Sequence, residues 1–365
     1  MSIFPGCDGS PTDQHQEDRL LWRTRIPFPI YYSSPGLGSD GTIYIASRGD
    51  SLRAFSPDGS INWSIYVHQQ PDHTTSPVIA DDGTIYFSSI YLFALNPDGS
   101  LKWRHYLEET RGSPAIGPDG TVYVIALNQL LAITPEGSLD WEKTILPISA
   151  PVTGPDGTIY CGTIGLSPDE YYLDALNPDG DIQWRFPVSS FVSSPAVNEN
   201  GTLYFVSADT LFAVSDQGSM EWSVPLNVPV ERRVSPSIGL NGTVYIGTSG
   251  TGEDGHLSAF SAQGDLLWNY STSAKVITTP AVGDDGSIYF GCHDGYLYAL
   301  DDAGSLSWRY DSGSWIGSSP AIADDGTLYF GSSQYFLYAL RTGSLGLADT
   351  AWPKFRANNQ NTGGY

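Results

Sequence analysis

Of 365 residues only three are cysteine and two are methionine, and lysine plus arginine number 17 against 40 aspartates and glutamates. Cys7, Cys161 and Cys292 form neither an even set nor a Cys-x-x-Cys pair, which excludes a disulfide framework and a thiolate metal site. The shortage of cations leaves a formal net charge of −23, and a chain so acidic has no basic face for a phosphate backbone, so nucleic acid is excluded as a partner. The longest apolar run, 121–134, is interrupted by Asn128 and Gln129 and is too short for a transmembrane segment. Residues 1–6 lack the apolar core of a signal peptide. Cys7 follows Phe4, Pro5 and Gly6 as at a lipoprotein cleavage site, but without the apolar stretch such a site needs. The chain is therefore expected to be soluble, with no export signal of its own. Stretches rich in alanine, glutamate and lysine are also missing, which argues against long helices.

Glycine (40), proline (25) and aromatic residues (13%) are plentiful instead, the composition of short strands joined by tight turns. Much of the acidity is turn chemistry. Asp40, Asp58, Asp82, Asp98, Asp119, Asp156, Asp179, Asp285 and Asp325 each precede glycine, the pairing that supplies positive φ in hairpins.

Internal repetition decides the fold. Residues 318–340 (SSPAIADDGTLYFGSSQYFLYAL), 279–300 (TPAVGDDGSIYFGCHDGYLYAL) and 76–95 (SPVIADDGTIYFSSIYLFAL) are versions of one unit. Its proline returns at Pro35, Pro77, Pro114, Pro151, Pro195, Pro236, Pro280 and Pro320. Each unit of about 40 residues parses into four strands: A (Ser-Pro-Ala-Ile), B (Gly-Thr-Ile-Tyr-Phe), C (Leu-Tyr-Ala-Leu) and D (Leu-x-Trp-Arg). Strand D carries Trp63, Trp103, Trp141, Trp184, Trp222, Trp268 and Trp308, one fewer than the prolines. The missing strand D is RLLWRTRI (19–26), which matches GSLKWRHY (99–106) at Leu20, Trp22 and Arg23. The expected fold is all-β, an eight-bladed β-propeller of four-stranded antiparallel blades, closed by the N-terminal strand joining the last blade. Residues 1–18 are then an N-terminal extension, 19–345 the propeller and 346–365 a C-terminal tail. The eight tryptophans are expected to be buried between blades, so that Trp103→Ala costs roughly 3–5 kcal/mol.

Antiparallel order puts the A–B and C–D turns on one face and the B–C and D–A connections on the other. The first set is nearly uniform, whereas the second varies, so recognition is expected on the second face. The D–A linkers offer Tyr31, Tyr32, His73, Arg111, Phe191, Arg232, Arg233, Lys275 and Trp315, and the B–C loops add Tyr171, His293 and the insertion GTGEDGH (250–256). Several of the few cations thus gather beside aromatics at one channel mouth, which suits an anionic or sugar-like ligand.

Other motifs carry no chemistry. GTGEDG (250–255) has the G-x-G-x-x-G spacing but joins two strands, where a dinucleotide site needs a helix to follow. The six histidines show neither i, i+4 pairing nor His-Glu-x-x-His, so no metal is expected. Asp301-Asp302 and Asp324-Asp325 read as turn formers. Asn200 and Asn241 begin Asn-Gly-Thr triplets that align with A–B turns. Cys161 and Cys292 fall three blades apart, far beyond the ~7 Å Cα limit for a disulfide.

The segment ALNPDGSLKW (94–103) resembles the tryptophan-docking motif of the PQQ-like (quinoprotein-type) β-propeller repeat family, shortened by one residue. AWPKFRANNQNTGG (351–364) resembles the Trp-Pro-x-Phe … Thr-Gly segment that flanks such propellers. The resemblance covers about Arg19 to Gly363 and implies an extracytoplasmic setting. It includes quinone-dependent dehydrogenases as well as non-enzymatic barrel-assembly lipoproteins. The dehydrogenases carry adjacent cysteines beside the quinone and a Glu/Asn/Asp calcium site, and this sequence has no adjacent cysteines. The expected function is a non-catalytic scaffold binding a protein or glycan partner through the variable loop face, without a cofactor. The alternative is a PQQ-dependent alcohol or sugar dehydrogenase that uses calcium, with the quinone in the central channel.

Overall fold

The computed structural model describes residues 16–48, 51–67, 75–110, 112–167, 169–228, 230–232, 234–250, 252 and 254–364. They form eight four-stranded antiparallel sheets. The first blade comprises Gly36–Leu37, Ile43–Ser47, Ser51–Phe55 and Ile61–Tyr66, and the next six repeat that order. Strand A is two residues long in every blade and fully buried, as at Val78–Ile79 and Ala281–Val282, because eight inner strands crowd round one axis. Strand D alternates exposed and half-buried residues, as Leu101–Tyr106 does, because its outer edge faces solvent. A four-residue helix, Gln16–Arg19, precedes the first strand, and no described helix is long and apolar enough to cross a membrane.

The eighth blade is assembled from both ends of the chain. Leu20–Arg25 pairs antiparallel with Phe336–Arg341, placing Trp22 opposite Ala339 and Arg25 opposite Phe336. Its inner strands are Ala321–Ile322 and Thr327–Gly331. This is the closure expected from the sequence, and it leaves no open edge between first and last blades.

The tryptophans join neighbouring blades, but less deeply than expected. Among the eight only Trp308 is buried, at 8% exposure, and the other seven are half-buried at the outer rim. Each ring leans on a strand-B tyrosine of its own blade at 5.7–5.9 Å, from Trp103 on Tyr86 to Trp22 on Tyr329. Seven indoles then reach the C–D turn of the following blade. Trp22 donates to Pro57 O at 2.7 Å, Trp103 to Pro135 O at 2.8 Å and Trp268 to Asp302 O at 2.9 Å. The turn glycine is needed twice over: Gly137 sits at φ +90°, and a Cβ there would lie 2.6 Å from the Trp103 ring. The eighth indole differs because the last blade changes chains of sequence where its C–D turn would be. The Arg19 guanidinium covers Trp308 instead, 4.3 Å from its ring centre.

The C-terminal tail fills the axis. Amides of the inner strands donate to successive tail carbonyls: Leu37 to Asn359, Ile79 to Gln360, Ile116 to Thr362 and Thr153 to Gly363, at 2.7–3.0 Å. On the other side Ile238 donates to Trp352 and Val282 to Pro353. Asn361 Nδ2 donates to Pro35 O and Pro77 O at 3.1 and 3.0 Å, and Arg356 Nη2 donates to Pro114 O and, at 3.2 Å, to Pro151 O. Four repeat prolines thereby turn their carbonyls onto tail side chains. Lys354 is completely buried, donating to Asn361 Oδ1 at 2.7 Å and Asn358 O at 3.2 Å.

Candidate functional site

With its core filled by the tail, the axial channel is a blind funnel of about 830 Å³. All eight D–A linkers contribute to its wall, and Phe355 of the tail lies at its floor. The wall is built on the residue before each repeat proline. That residue is confined to extended geometry by the ring that follows it, and it is serine or threonine in seven blades and Ala150 in the fourth. Its amide donates to the hydroxyl of the equivalent residue in the next blade. Ser235 donates to Thr279 (3.3 Å), Thr279 to Ser319 (3.0 Å), Ser319 to Ser34 (3.1 Å), Ser34 to Ser76 (2.9 Å) and Ser76 to Ser113 (2.8 Å). This hydroxyl belt crosses the seam between last and first blades. It was not foreseen from the sequence, although Ser-Pro recurrence was the signal for it.

Aromatic and charged residues cluster above the belt. Tyr31 stacks on Trp315 at 4.9 Å and 13°, with Tyr32 at 6.0 Å and the His293 ring at 4.7 Å from the same indole. Burial, and then the neighbouring Lys275, hold the His293 imidazole below its usual pKa, against the opposite pull of Glu231 and Asp294. Its Nε2 is buried without a partner. Across the mouth the Arg232 guanidinium lies over Phe191 at 4.8 Å.

The expected residues therefore divide. Tyr32, Arg232, Lys275 and His293 line the funnel, while Tyr31, Trp315 and Phe191 pack against those that do. Tyr171 begins strand C of the fourth blade (Tyr171–Leu176), away from the lining. His73, Arg111 and Arg233 lie outside the described residues. Glu109 and Glu231 share the lining, and Lys275 Nζ is paired with Glu231 at 3.0 Å, so Arg232 is the lining cation not held by a described carboxylate. The B–C insertion joins Val244–Ser249 to Gly255–Phe260 with no helix, as its position between strands implies. Cys161 and Cys292 are buried free thiols, and burial raises both their pKa values.

Among the described residues no three His, Cys, Asp or Glu side chains come close enough to hold a metal ion, and the channel core is filled by protein.

The profile of the family described as "Outer membrane protein assembly factor BamB" matches residues 14–165, 128–279 and 253–360. No curated protein matches in sequence. Among solved structures, BamB from Moraxella catarrhalis superposes with a TM-score of 0.68 at 18% identity, covering 88% of this chain and 99% of its own. A europium-containing methanol dehydrogenase gives 0.67 at 13% identity, covering 89% and 93%. The computationally designed Ika8 protein gives 0.68 at 12% identity, covering 89% and 100%. At such identities these neighbours share the architecture, and an enzyme and a designed protein stand side by side among them. The chain belongs to the PQQ-like β-propeller family.

Proposed function

We propose that this PQQ-like propeller is a non-catalytic scaffold that receives a protein or glycan partner on its D–A/B–C face, working without a quinone. One observation carries the reading: the channel is a blind funnel whose floor is the chain's own Phe355 and whose rim combines the Tyr31–Trp315 stack with Arg232. Rigid walls, flat aromatic surface and a few directional polar groups are what recognition needs. A family profile named for an assembly factor favours a protein among the possible partners.

Two titrations test this. Pyrroloquinoline quinone with calcium, followed by cofactor absorbance and dye reduction with alcohols and sugars, should give no saturable binding and no turnover. Micromolar binding with turnover would overturn the scaffold reading. Partner binding, once a partner is in hand, should be lost in Trp315→Ala and Arg232→Ala while their urea unfolding curves match wild type.

A further inference from the structure

The tail that fills the axis also partitions it. Phe355 floors the funnel, while Pro353, Asn358 and Gln360 line a second cavity of about 440 Å³ on the opposite face, beside the A–B turns. Within this partition lie two completely buried basic side chains, Lys354 and Arg356. Both bond to Asn361, Lys354 Nζ to its Oδ1 at 2.7 Å and Arg356 Nε to its backbone O at 3.2 Å. Their other partners are neutral too: Asn358 O for Lys354, and Pro114 O and Pro151 O for Arg356. The ring brings no counter-charge. Its eight inner strands read Gly-Leu, Val-Ile, Ala-Ile, Val-Thr, Ala-Val, Ser-Ile, Ala-Val and Ala-Ile, without a titratable residue. Asp349 of the tail, with Glu199 and Asp324 of the A–B turns, lines the second cavity, and none of the three bonds to either cation. Burial alone, with no charged neighbour contributing, pushes the Lys354 pKa down to about 7.

The hydrogen bonds at Lys354 are those of a neutral amine. An ammonium has three hydrogens to place and an amine two, and Nζ meets two acceptors among the described residues. Arg356 keeps its charge at neutral pH, and its Nη1 is already buried without a partner. A proton on Lys354 therefore adds a second charge to a compartment short of acceptors and without a counter-ion. We propose that the C-terminal tail is a proton-responsive plug: proton uptake at Lys354 releases the tail from the axis while the eight blades stay folded, and the two cavities join into one open channel. Release returns both cations to water. It leaves the blades' own ladders intact, because the tail is bound through the inner strands and supplies no strand to any of the eight sheets. Such a sub-global opening lies below the free energy of full unfolding. A released lysine has its ordinary pKa near 10.4, so from about pH 10 down to pH 7 the released form binds more protons and gains as pH falls. Below about pH 7 the seated form is protonated as well, and the effect levels off. The device holds whatever the funnel binds.

Six amides report on the plug: those of Leu37, Ile79, Ile116, Thr153, Ile238 and Val282, each of which donates to a tail carbonyl. Hydrogen exchange of the full-length protein is followed residue by residue at pH 8.5 and pH 6.5 and corrected for the intrinsic pH dependence of exchange. The opening constant at the six amides is expected to rise about twentyfold at the lower pH, the value for one proton moving between groups of pKa about 7 and 10.4. Amides in the ladders between strands B and C should keep their protection. Lys354→Gln, which retains a donor for Asn361 and carries no titratable charge, should abolish the rise, and so should Lys354→Met. A wild-type opening constant that is the same at both pH values would overturn the proposal. So would a rise of equal size in Lys354→Gln, or a loss of protection in the B–C ladders by the same factor, which would mean that the whole ring opens and not the tail.

Discussion

Asn361 is the residue on which the axial seal most depends, and replacing it should destabilise the entire ring. Its side chain is completely buried and makes three hydrogen bonds: Nδ2 to Pro35 O at 3.1 Å and to Pro77 O at 3.0 Å, and Oδ1 from Lys354 Nζ at 2.7 Å. Asn361→Ala removes all three, leaves two buried carbonyls facing a methyl group and takes from a buried ammonium its shorter contact. With about 1 kcal/mol net for each neutral bond and more for the charged one, the loss is about 3–5 kcal/mol. Asn361 also holds φ at 58°, a region asparagine tolerates better than alanine, so a further ~1 kcal/mol is expected. Asn361→Gly separates the two contributions, because it loses the same bonds but none of the left-handed tolerance. The assay is urea unfolding followed by tryptophan fluorescence, comparing midpoints at equal slope. If Asn361→Ala unfolded within about 1 kcal/mol of wild type, the tail would be lying in the channel without holding it.

Lys354 supplies a pH signature of the same seal. Burial pushes its pKa down to about 7, while the unfolded chain keeps it near 10.4. Between about pH 7 and pH 10 the unfolded state therefore binds more protons, so stability should rise with pH across that window, and Lys354→Met should flatten the rise. A wild-type profile already flat from pH 7 to 9.5 would show that the ammonium is well solvated. Trp103→Ala, at a half-buried site, should cost about 2–4 kcal/mol, less than a buried indole would, and Trp103→Phe about 1–2 kcal/mol through loss of the bond to Pro135. A loss below about 1 kcal/mol in the alanine variant would exclude inter-blade docking. Removing residues 1–25 strips strand D from the last blade and uncovers the Phe336–Arg341 edge, so the urea midpoint should fall for the whole protein. Unfolding like the full chain would contradict the closure.

Blade number, strand order and closure were legible in the sequence because they depend on local, repeated chemistry: a proline before strand A, aspartate and glycine in the turns, a tryptophan in strand D. The match of residues 19–26 to the other D strands located the seam. The depth of the tryptophans was not legible. A repeating indole says that something is docked, and only the curvature of the sheets places it at the half-exposed rim. Of the residues that line the funnel, the variable-face rule named Tyr32, Arg232, Lys275 and His293 but could not see that Glu231 neutralises Lys275, a contact between linkers 44 residues apart.

The tail marks the boundary most sharply. As sequence, Lys354, Arg356 and Asn361 are polar residues near a chain end, where solvent is the natural assumption. Only a closed ring offers four proline carbonyls converging on one axis, and only there do buried donors at those three positions become the cheapest way to satisfy them. The sequence alone determined that there would be a ring of eight. The tertiary structure decided what fills its centre, because that depends on groups brought together from distant parts of the chain.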